Sequence, residues 1–287
     1  MARSLRVAFA TSSALPDSTE DDRSAIRELA GRGVQAVPTV WDDPSASWSD
    51  FSAVIIRSTW DYCRDRERFL QWVDRVGKET VVWNPAELVR WNSHKSYLVD
   101  LAADGVDVVP TELVRRGDER TLSSITLGRG WSDVVVKPAV GANARGLRVI
   151  RRDEGVAGEE HLRSLLAAGD ALVQPLLDQA RSRGERSVIL FEGVFSHGVD
   201  YPFVLQRESR SGKPAAIDAT AREEIRKVVA SLPLRPLYAR VDFLPIEDDR
   251  WLLSELELIE PDLFLQSSPN APQRFADAIV ERLNRYG

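Results

Sequence analysis

Leu237-Tyr238-Ala239-Arg240-Val241-Asp242-Phe243-Leu244 and Trp251-Leu252-Leu253-Ser254-Glu255-Leu256-Glu257-Leu258-Ile259-Glu260-Pro261 carry the strongest signal in this chain. Both are apolar enough to be buried strands, yet both carry charges. Acidic side chains are almost never fully buried unless they are paired or hold a metal. Side chains alternate along a strand, so Arg240 shares a face with Asp242, and Glu255 with Glu257. Pairing of the two strands would put three carboxylates and a guanidinium on one surface. Carboxylate oxygens suit hard cations such as Mg²⁺, and arginine suits phosphoryl oxygens. The competing reading is a solvated face of an amphipathic hairpin, which fits poorly with the uniformly apolar residues between the charges.

The remaining composition narrows the class. The chain has 287 residues, 43% hydrophobic and 29% charged, as expected of a globular protein with two or three modest domains. A net charge of −6 and a pI near 5.3 argue against a nucleic-acid partner. No apolar run is long enough to span a bilayer, and Met1–Arg6 leads into a strand-like run without a signal-peptide pattern. A single cysteine, Cys63, excludes an intramolecular disulfide and a cysteine zinc cage. The expectation is a cytoplasmic enzyme without zinc, with a homo-oligomer left open.

Along the chain, strands are expected at Leu5–Ala10, Val34–Val40, Ala53–Arg57 and Thr80–Trp83. A helix capped by Asp21 or Asp22 runs to Ala30, and Phe69, Trp72, Val73 and Val76 recur at helical spacing. Strand and helix in alternation imply a parallel sheet. A helix from Ser93 to Ala103, capped by Asn92 or Ser93, would carry Lys95 in its first turn, where a cation invites an anionic partner. Strands at Val108–Val114, Asp133–Lys137, Leu147–Arg151 and Leu172–Leu176, with helices near Glu119–Leu127 and Glu159–Ala167, suggest a smaller α/β unit. A hairpin at Ser187–His197, helices at Thr220–Leu232 and Pro272–Arg285, and polar loops at Asp178–Glu185 and Glu208–Lys213 complete the pattern.

Further residues fit phosphate chemistry. Val134-Val135-Val136-Lys137-Pro138 ends a strand on a lysine, and the small-residue loop after it contains Gly141 and Gly146, which let backbone amides approach phosphate. No Gly-x-x-x-x-Gly-Lys-Ser/Thr loop exists, and Gly31-Arg32-Gly33 reads as a helix stop. Arg57-Ser58-Thr59-Trp60-Asp61 follows a buried-looking strand, so Arg57, Ser58, Thr59 and Asp61 are substrate candidates.

Together these elements resemble the ATP-grasp superfamily, in its glutathione-synthetase-like branch. The order of a lysine on a helix, Val-Val-Lys-Pro with a glycine loop, and Arg-x-Asp before Glu-x-Glu strands spans nearly the whole chain. Arg57–Tyr62, Trp91-Asn92-x-x-Lys95-x-Tyr97 and Glu255–Pro261 are further similar to the subgroup of D-cycloserine-forming cyclo-ligases. The resemblance implies an α/β (α+β) ATP-grasp fold: a parallel α/β pre-domain at 1–88, a helical linker at 89–107, a central lid domain at 108–177 and a C-terminal domain at 178–287 with acidic metal-binding strands. It implies an ADP-forming carboxylate–amine ligase using ATP and one or two Mg²⁺ ions, with Mn²⁺ as an alternative. The substrate would be small and amino-acid-like, cyclisation an open alternative, and the setting specialised metabolism such as antibiotic biosynthesis. Lys95 and Lys137 would hold phosphates, Gly141 and Gly146 the nucleotide, Gln174 the adenine side and Glu185 the sugar or metal. Asp242, Glu255 and Glu257 would ligate metal, Arg240 and Lys137 would be catalytic, and Arg207 or Arg210 would bind substrate. A phosphotransferase and a non-catalytic ATP-binding regulator are the rival readings.

Overall fold

The structure is a computed structural model that describes residues 5–202, 212–247 and 250–286. Arg207 and Arg210 lie outside the described residues, as does most of the expected Glu208–Lys213 loop.

The first sheet is built from β1 (Leu5–Thr11), β2 (Val34–Val40), β3 (Ala53–Ser58) and β4 (Val81–Trp83), in the order β2-β1-β3-β4 and parallel throughout. Helix α1 (Glu20–Gly31) packs on one face and α2 (Arg66–Glu79) on the other. The helical spacing of Phe69, Trp72, Val73 and Val76 is what α2 buries, against Trp41, Trp48, Val54 and Ile56. Trp72 meets Trp48 edge-on at 5.3 Å and Trp41 at 5.8 Å. Buried aromatics of this size each contribute roughly 2–3 kcal/mol through area removed from water.

α1 starts earlier than Asp21 or Asp22. Thr19 is its cap, with its hydroxyl accepting from the Asp22 amide at 3.1 Å, and both aspartates occupy the first turn. The expected Ser93–Ala103 helix begins only at Tyr97, as α4 (Tyr97–Ala103); a separate helix, α3 (Ala86–Asn92), precedes it, and Lys95 sits in the turn between them. Tertiary hydrogen bonds explain the break: the Lys95 amide donates to Ala139 O at 2.8 Å rather than back into a helix.

A second sheet, β5-β8-β6-β7, comprises β5 (Glu112–Val114), β6 (Val134–Pro138), β7 (Arg148–Ile150) and β8 (Ala171–Pro175), all antiparallel. Helices α5 (Leu122–Arg129) and α6 (Gly155–Ala168) cover it and close a small core of its own. The expected strand Val108–Val114 divides at Pro110, which lacks an amide donor. Before it, Val108 bridges Leu253 in the third sheet; after it, β5 joins the second. The polar stretch after β8 contains a short helix, α7 (Asp178–Arg183), rather than a loop throughout.

The third sheet runs β11-β10-β9-β12-β13, with β9 (Glu185–Phe191), β10 (Val194–Tyr201), β11 (Lys213–Ala215), β12 (Tyr238–Glu247) and β13 (Arg250–Glu257). Gly184 must precede it: its φ is +78°, and an added Cβ would fall 2.4 Å from Tyr201 O. Helix α8 (Ala219–Ala230) packs on this sheet, and α9 (Ala271–Tyr286) returns to the first one. Phe275 and Ile279 of α9 join Phe9, Ile55, Phe191 and Tyr238 in a core shared by the first and third sheets.

Candidate active site

The two charged strands pair as antiparallel neighbours, with Arg240 opposite Glu257 and Asp242 opposite Glu255. Val241, Phe243, Leu256 and Leu258 turn into the core. The intervening charges turn to a cavity of about 410 Å³ between the second and third sheets. After Asp242 the register shifts, leaving Ser254 as the extra residue of a bulge. The bulge resets the alternation, so Leu253 and Leu256 both face the core while Glu255 keeps the cavity face. Ser254 Oγ donates to Asp242 O at 3.0 Å and closes the irregularity.

Arg240 sits at the centre of this wall. Its Nε donates to Asp242 Oδ1 at 3.0 Å, its Nη2 to Asp242 Oδ2 at 3.0 Å, and its Nη2 also to Glu257. Burial alone would depress the arginine's pKa, but the charges of Asp242 and Glu257 outweigh it and hold it well above the usual value. Lys95 Nζ lies 2.8 Å from Glu255 Oε1 and donates to Gly141 O at 2.9 Å. Burial raises the pKa of Glu255, yet Lys95 and Lys137 overcome it and bring the carboxylate down to about 2. Lys137, buried at the end of β6, is shifted down, chiefly by burial. Glu257 is pushed up to about 7 by burial and, against Arg240, by the Glu255 and Asp242 charges.

One carboxylate oxygen from each of Asp242, Glu255 and Glu257 lies within 4.8 Å of the others. This set of hard oxygen donors fits a divalent cation, which would relieve the crowding that raises Glu257.

The Trp91–Leu98 stretch owes its residue pattern to this wall. Asn92 Nδ2 donates to Leu256 O and its Oδ1 accepts from Leu258 N, both at 2.8 Å. The Tyr97 hydroxyl accepts from Leu256 N at 3.1 Å. Two side chains from a helical turn therefore fix the backbone on either side of Glu257, while Lys95 between them reaches Glu255. Asn84 does the same one step along, donating to Tyr238 O and Leu258 O and accepting from Leu237 N.

The opposite wall comes from the second sheet. Lys137, Pro138, Gly141, Ala142, Asn143 and Arg145 line one part of the cavity. Asn143 and Ala144 have φ of 56° and 54°, left-handed positions that each cost a residue other than glycine about 1–2 kcal/mol. Gly146, at φ +75°, shapes the loop but is not among the lining residues. Further along, Val109, Val135, Leu176, Leu177 and Leu244 make an apolar end beside Gln174, whose amide donates to Thr111 Oγ1 at 2.8 Å. Such a slot suits a flat heterocycle. Its members come from four separate segments, so no local pattern announced it. Glu185 lines the same cavity.

The Arg57–Asp61 candidates fall elsewhere. Arg57, only 2% exposed, pairs through Nε with Asp22 Oδ1 at 2.7 Å and donates from Nη2 to Pro261 O at 3.0 Å. Ser58 Oγ lies 2.9 Å from Thr11 Oγ1, Thr59 is fully buried, and Asp61 accepts from Trp41 Nε1 at 3.0 Å. None of the four lines the cavity; from this stretch Trp60 and Tyr62 do. The sequence reading also passed over Glu260 and Asp262, which line the cavity just beyond β13. The signal was present in Ile259-Glu260-Pro261-Asp262, where acidic residues continue past the strand.

Comparison with known proteins agrees with this geometry. A family model described as the N-terminal domain of D-cycloserine synthetase DcsG matches residues 7–84. The cycloserine biosynthesis protein DcsG of Streptomyces lavendulae is 32% identical over 268 residues, covering 88% of this chain and 90% of that protein. The crystal structure of D-cycloserine synthetase DcsG superposes with a TM-score of 0.88 at 28% identity, covering 97% of this chain and 99% of that one. In fold, a D-alanine–D-alanine ligase from Bacillus anthracis complexed with ATP is similar at a TM-score of 0.69 and 13% identity, covering 98% of each chain. Among the described residues no helix is long and apolar enough to cross a membrane. A cavity walled by a glycine loop and Lys137 on one sheet, by acidic strands on the next and by Lys95 from the turn between α3 and α4 is the ATP-grasp arrangement, and the chain belongs to the D-cycloserine synthetase family of ATP-grasp enzymes, ADP-forming ligases that make C–N bonds.

Proposed function

We propose that this enzyme activates the carboxylate of a small amino-acid-like substrate as an acyl phosphate and lets an amine displace the phosphate. The observation that carries the reading is the cavity wall on which Arg240 joins Asp242 and Glu257 while Lys95 joins Glu255. Likeness to a D-cycloserine synthetase favours ring closure of a serine derivative, within antibiotic biosynthesis, over joining of two molecules.

A carboxylate cannot expel oxide, so it needs a better leaving group before an amine can attack. A carboxylate oxygen attacks the γ-phosphorus of ATP, the bond to the bridging oxygen breaks, and ADP leaves. Nitrogen then adds to the acyl carbon, phosphate departs, and the nitrogen gives up its proton. Lys95 and Lys137 would neutralise phosphate charge, and Arg240 would take up the negative charge that develops on the transferred group. Asp242, Glu255 and Glu257 would hold Mg²⁺, which when bound draws electron density from phosphoryl oxygens. The apolar end at Val109, Leu176 and Leu177 would take the adenine, with Gln174 beside it. Placing the cavity between two sheets keeps water from the acyl phosphate.

The test is ADP release by the purified protein with Mg²⁺, screened against D- and L-amino acids and O-ureido-serine, with mass analysis of products. ADP with a product lighter than the summed substrates by one water, or with a ring from O-ureido-serine that has also shed its carbamoyl group as carbon dioxide and ammonia, supports the ligase. ADP with a stable phosphorylated product would instead mean phosphotransfer, and no ADP from any acid would overturn both.

A further inference from the structure

We infer that Glu260 holds the ammonium group of an amino-acid substrate, against an aromatic wall of Trp60 and Tyr62. The inference rests on the ligase reading and names the feature of the substrate that the site recognises.

Glu260 is 8% exposed and lines the cavity. Its carboxylate leans on its own backbone amide and takes no hydrogen bond or ion pair from any other described residue. The cation whose charge acts on it, Lys95, is already engaged with Glu255 and Gly141. Glu260 also stands apart from the three carboxylates clustered for a metal. A buried carboxylate without a counter-charge is costly, so its place must be enforced by its surroundings.

The enforcement is visible in the backbone. Four consecutive carbonyls are each tied down by a different side chain. The Tyr238 hydroxyl donates to Ile259 O at 2.9 Å, and Trp60 Nε1 donates to Glu260 O at 3.0 Å. Arg57 Nη2 donates to Pro261 O at 3.0 Å, and Arg240 Nη1 to Asp262 O at 3.4 Å. A carboxyl group held this rigidly and facing a cavity is built for a ligand: burial, with Glu257 adding to it, pushes its pKa up to about 8, and a bound cation would stabilise its charged form. Trp60, Tyr62 and Phe264 line the same cavity, and aromatic faces attract an ammonium. Asp262 adds a second acidic group there. In an α-amino acid the ammonium and carboxylate are carried by the same carbon, so one small molecule can meet Glu260 while its carboxylate is offered to Arg240. Arg57 thus serves the substrate indirectly, by fixing the segment that reads it, while Trp60 and Tyr62 of the same stretch line the cavity.

The experiment compares each amino acid that yields ADP with the same acid lacking its amine. The wild-type enzyme should prefer the amine-bearing acid. Glu260→Gln, nearly isosteric, should raise KM for the amino acid roughly 10- to 100-fold, the worth of a charge-assisted hydrogen bond, and erase that preference. KM for ATP should stay within about twofold, and Glu260→Asp should recover part of the loss. ADP release with an unchanged preference in Glu260→Gln overturns the inference and leaves the ligase standing. No ADP from any acid, in the wild type, overturns the ligase and the inference with it.

Discussion

Arg57 and Arg240 are both buried, and they have opposite uses. Arg57 pairs with Asp22, lies 5.2 Å from the ring centroid of Tyr238 and 5.6 Å from that of Phe275, and faces a packed core. Arg240 pairs with Asp242 and Glu257, lies 5.8 Å from the ring centroid of Phe264, and faces a cavity. Burial, ion pairing and aromatic contact are common to both, so none of these marks a functional site. The difference is where the surplus acids point. Around Arg57 the paired carboxylate is walled in by protein. Around Arg240 three carboxylates converge on a cavity that Glu185, Glu260 and Asp262 also line, more acids than Arg240, Lys95, Lys137 and Arg145 together can neutralise. An excess of like charge facing a cavity is what calls for a ligand.

Substitutions should therefore separate the two. The largest effect is expected at the cavity: on the function proposed above, Asp242→Asn and Glu255→Gln should each lower ADP release by roughly 10²–10³-fold, since each takes a ligand from Mg²⁺. Melting temperatures should change by only a few degrees. Near-normal activity in either variant would mean that the carboxylates are not where the chemistry occurs. Arg57→Ala should do the reverse. Leaving Asp22 buried without its partner costs roughly 3–5 kcal/mol, which chemical denaturation would register, while KM for ATP in the protein that remains folded should be unaltered. A stable Arg57→Ala enzyme would break the distinction drawn here.

The same comparison explains how much could be read from the sequence. Arg240, Asp242, Glu255 and Glu257 were legible because period-two alternation places charges on one face, and antiparallel pairing brings the faces together. Lys137 was legible because a strand ended on it beside small residues. The parallel first sheet followed from alternating strand and helix signals. The strand-end argument that selected Arg57, Ser58, Thr59 and Asp61 fixes which end of a sheet they occupy but not what covers it. There Asp22 of α1 and Pro261 of a distant segment take Nε and Nη2 of Arg57, and its Nη1 is buried away from the cavity. Lys95 was assigned a place in a helix because local propensity cannot anticipate that Ala139 O and the β13 backbone compete for the same turn.

A smaller effect is expected where the scaffold touches the cavity wall. Tyr97→Phe removes the acceptor of the Leu256 amide and leaves that donor buried, at about 1–3 kcal/mol. Because Leu256 lies between Glu255 and Glu257, the Mg²⁺ concentration for half-maximal ADP release should rise several-fold with little change in the saturated rate. A change in stability with no shift in Mg²⁺ dependence would mean that Tyr97 only packs.

Asp21 lies where the two charged regions meet and gives the finest test. Its carboxyl is pushed up to about 7, first by burial, then by Asp262, with Asp22 adding to the rise and Arg57 opposing it. One oxygen accepts from the Gln266 amide at 3.2 Å, and the other is buried without a partner. An acid whose folded pKa exceeds its unfolded value near 3.8 leaves the fold most stable below that value. That stability is lost as pH rises towards 7, because the unfolded chain gives up the proton first. Asp21→Asn cannot ionise and escapes the loss. Its melting temperature should match the wild type near pH 4 and exceed it by a few degrees at pH 7.5. The gap should open across that interval and then level off. A gap independent of pH would place Asp21 with the neutralised core around Arg57. A gap that opens with pH places it with the surplus acids of the cavity, where its neighbour Asp262 already stands.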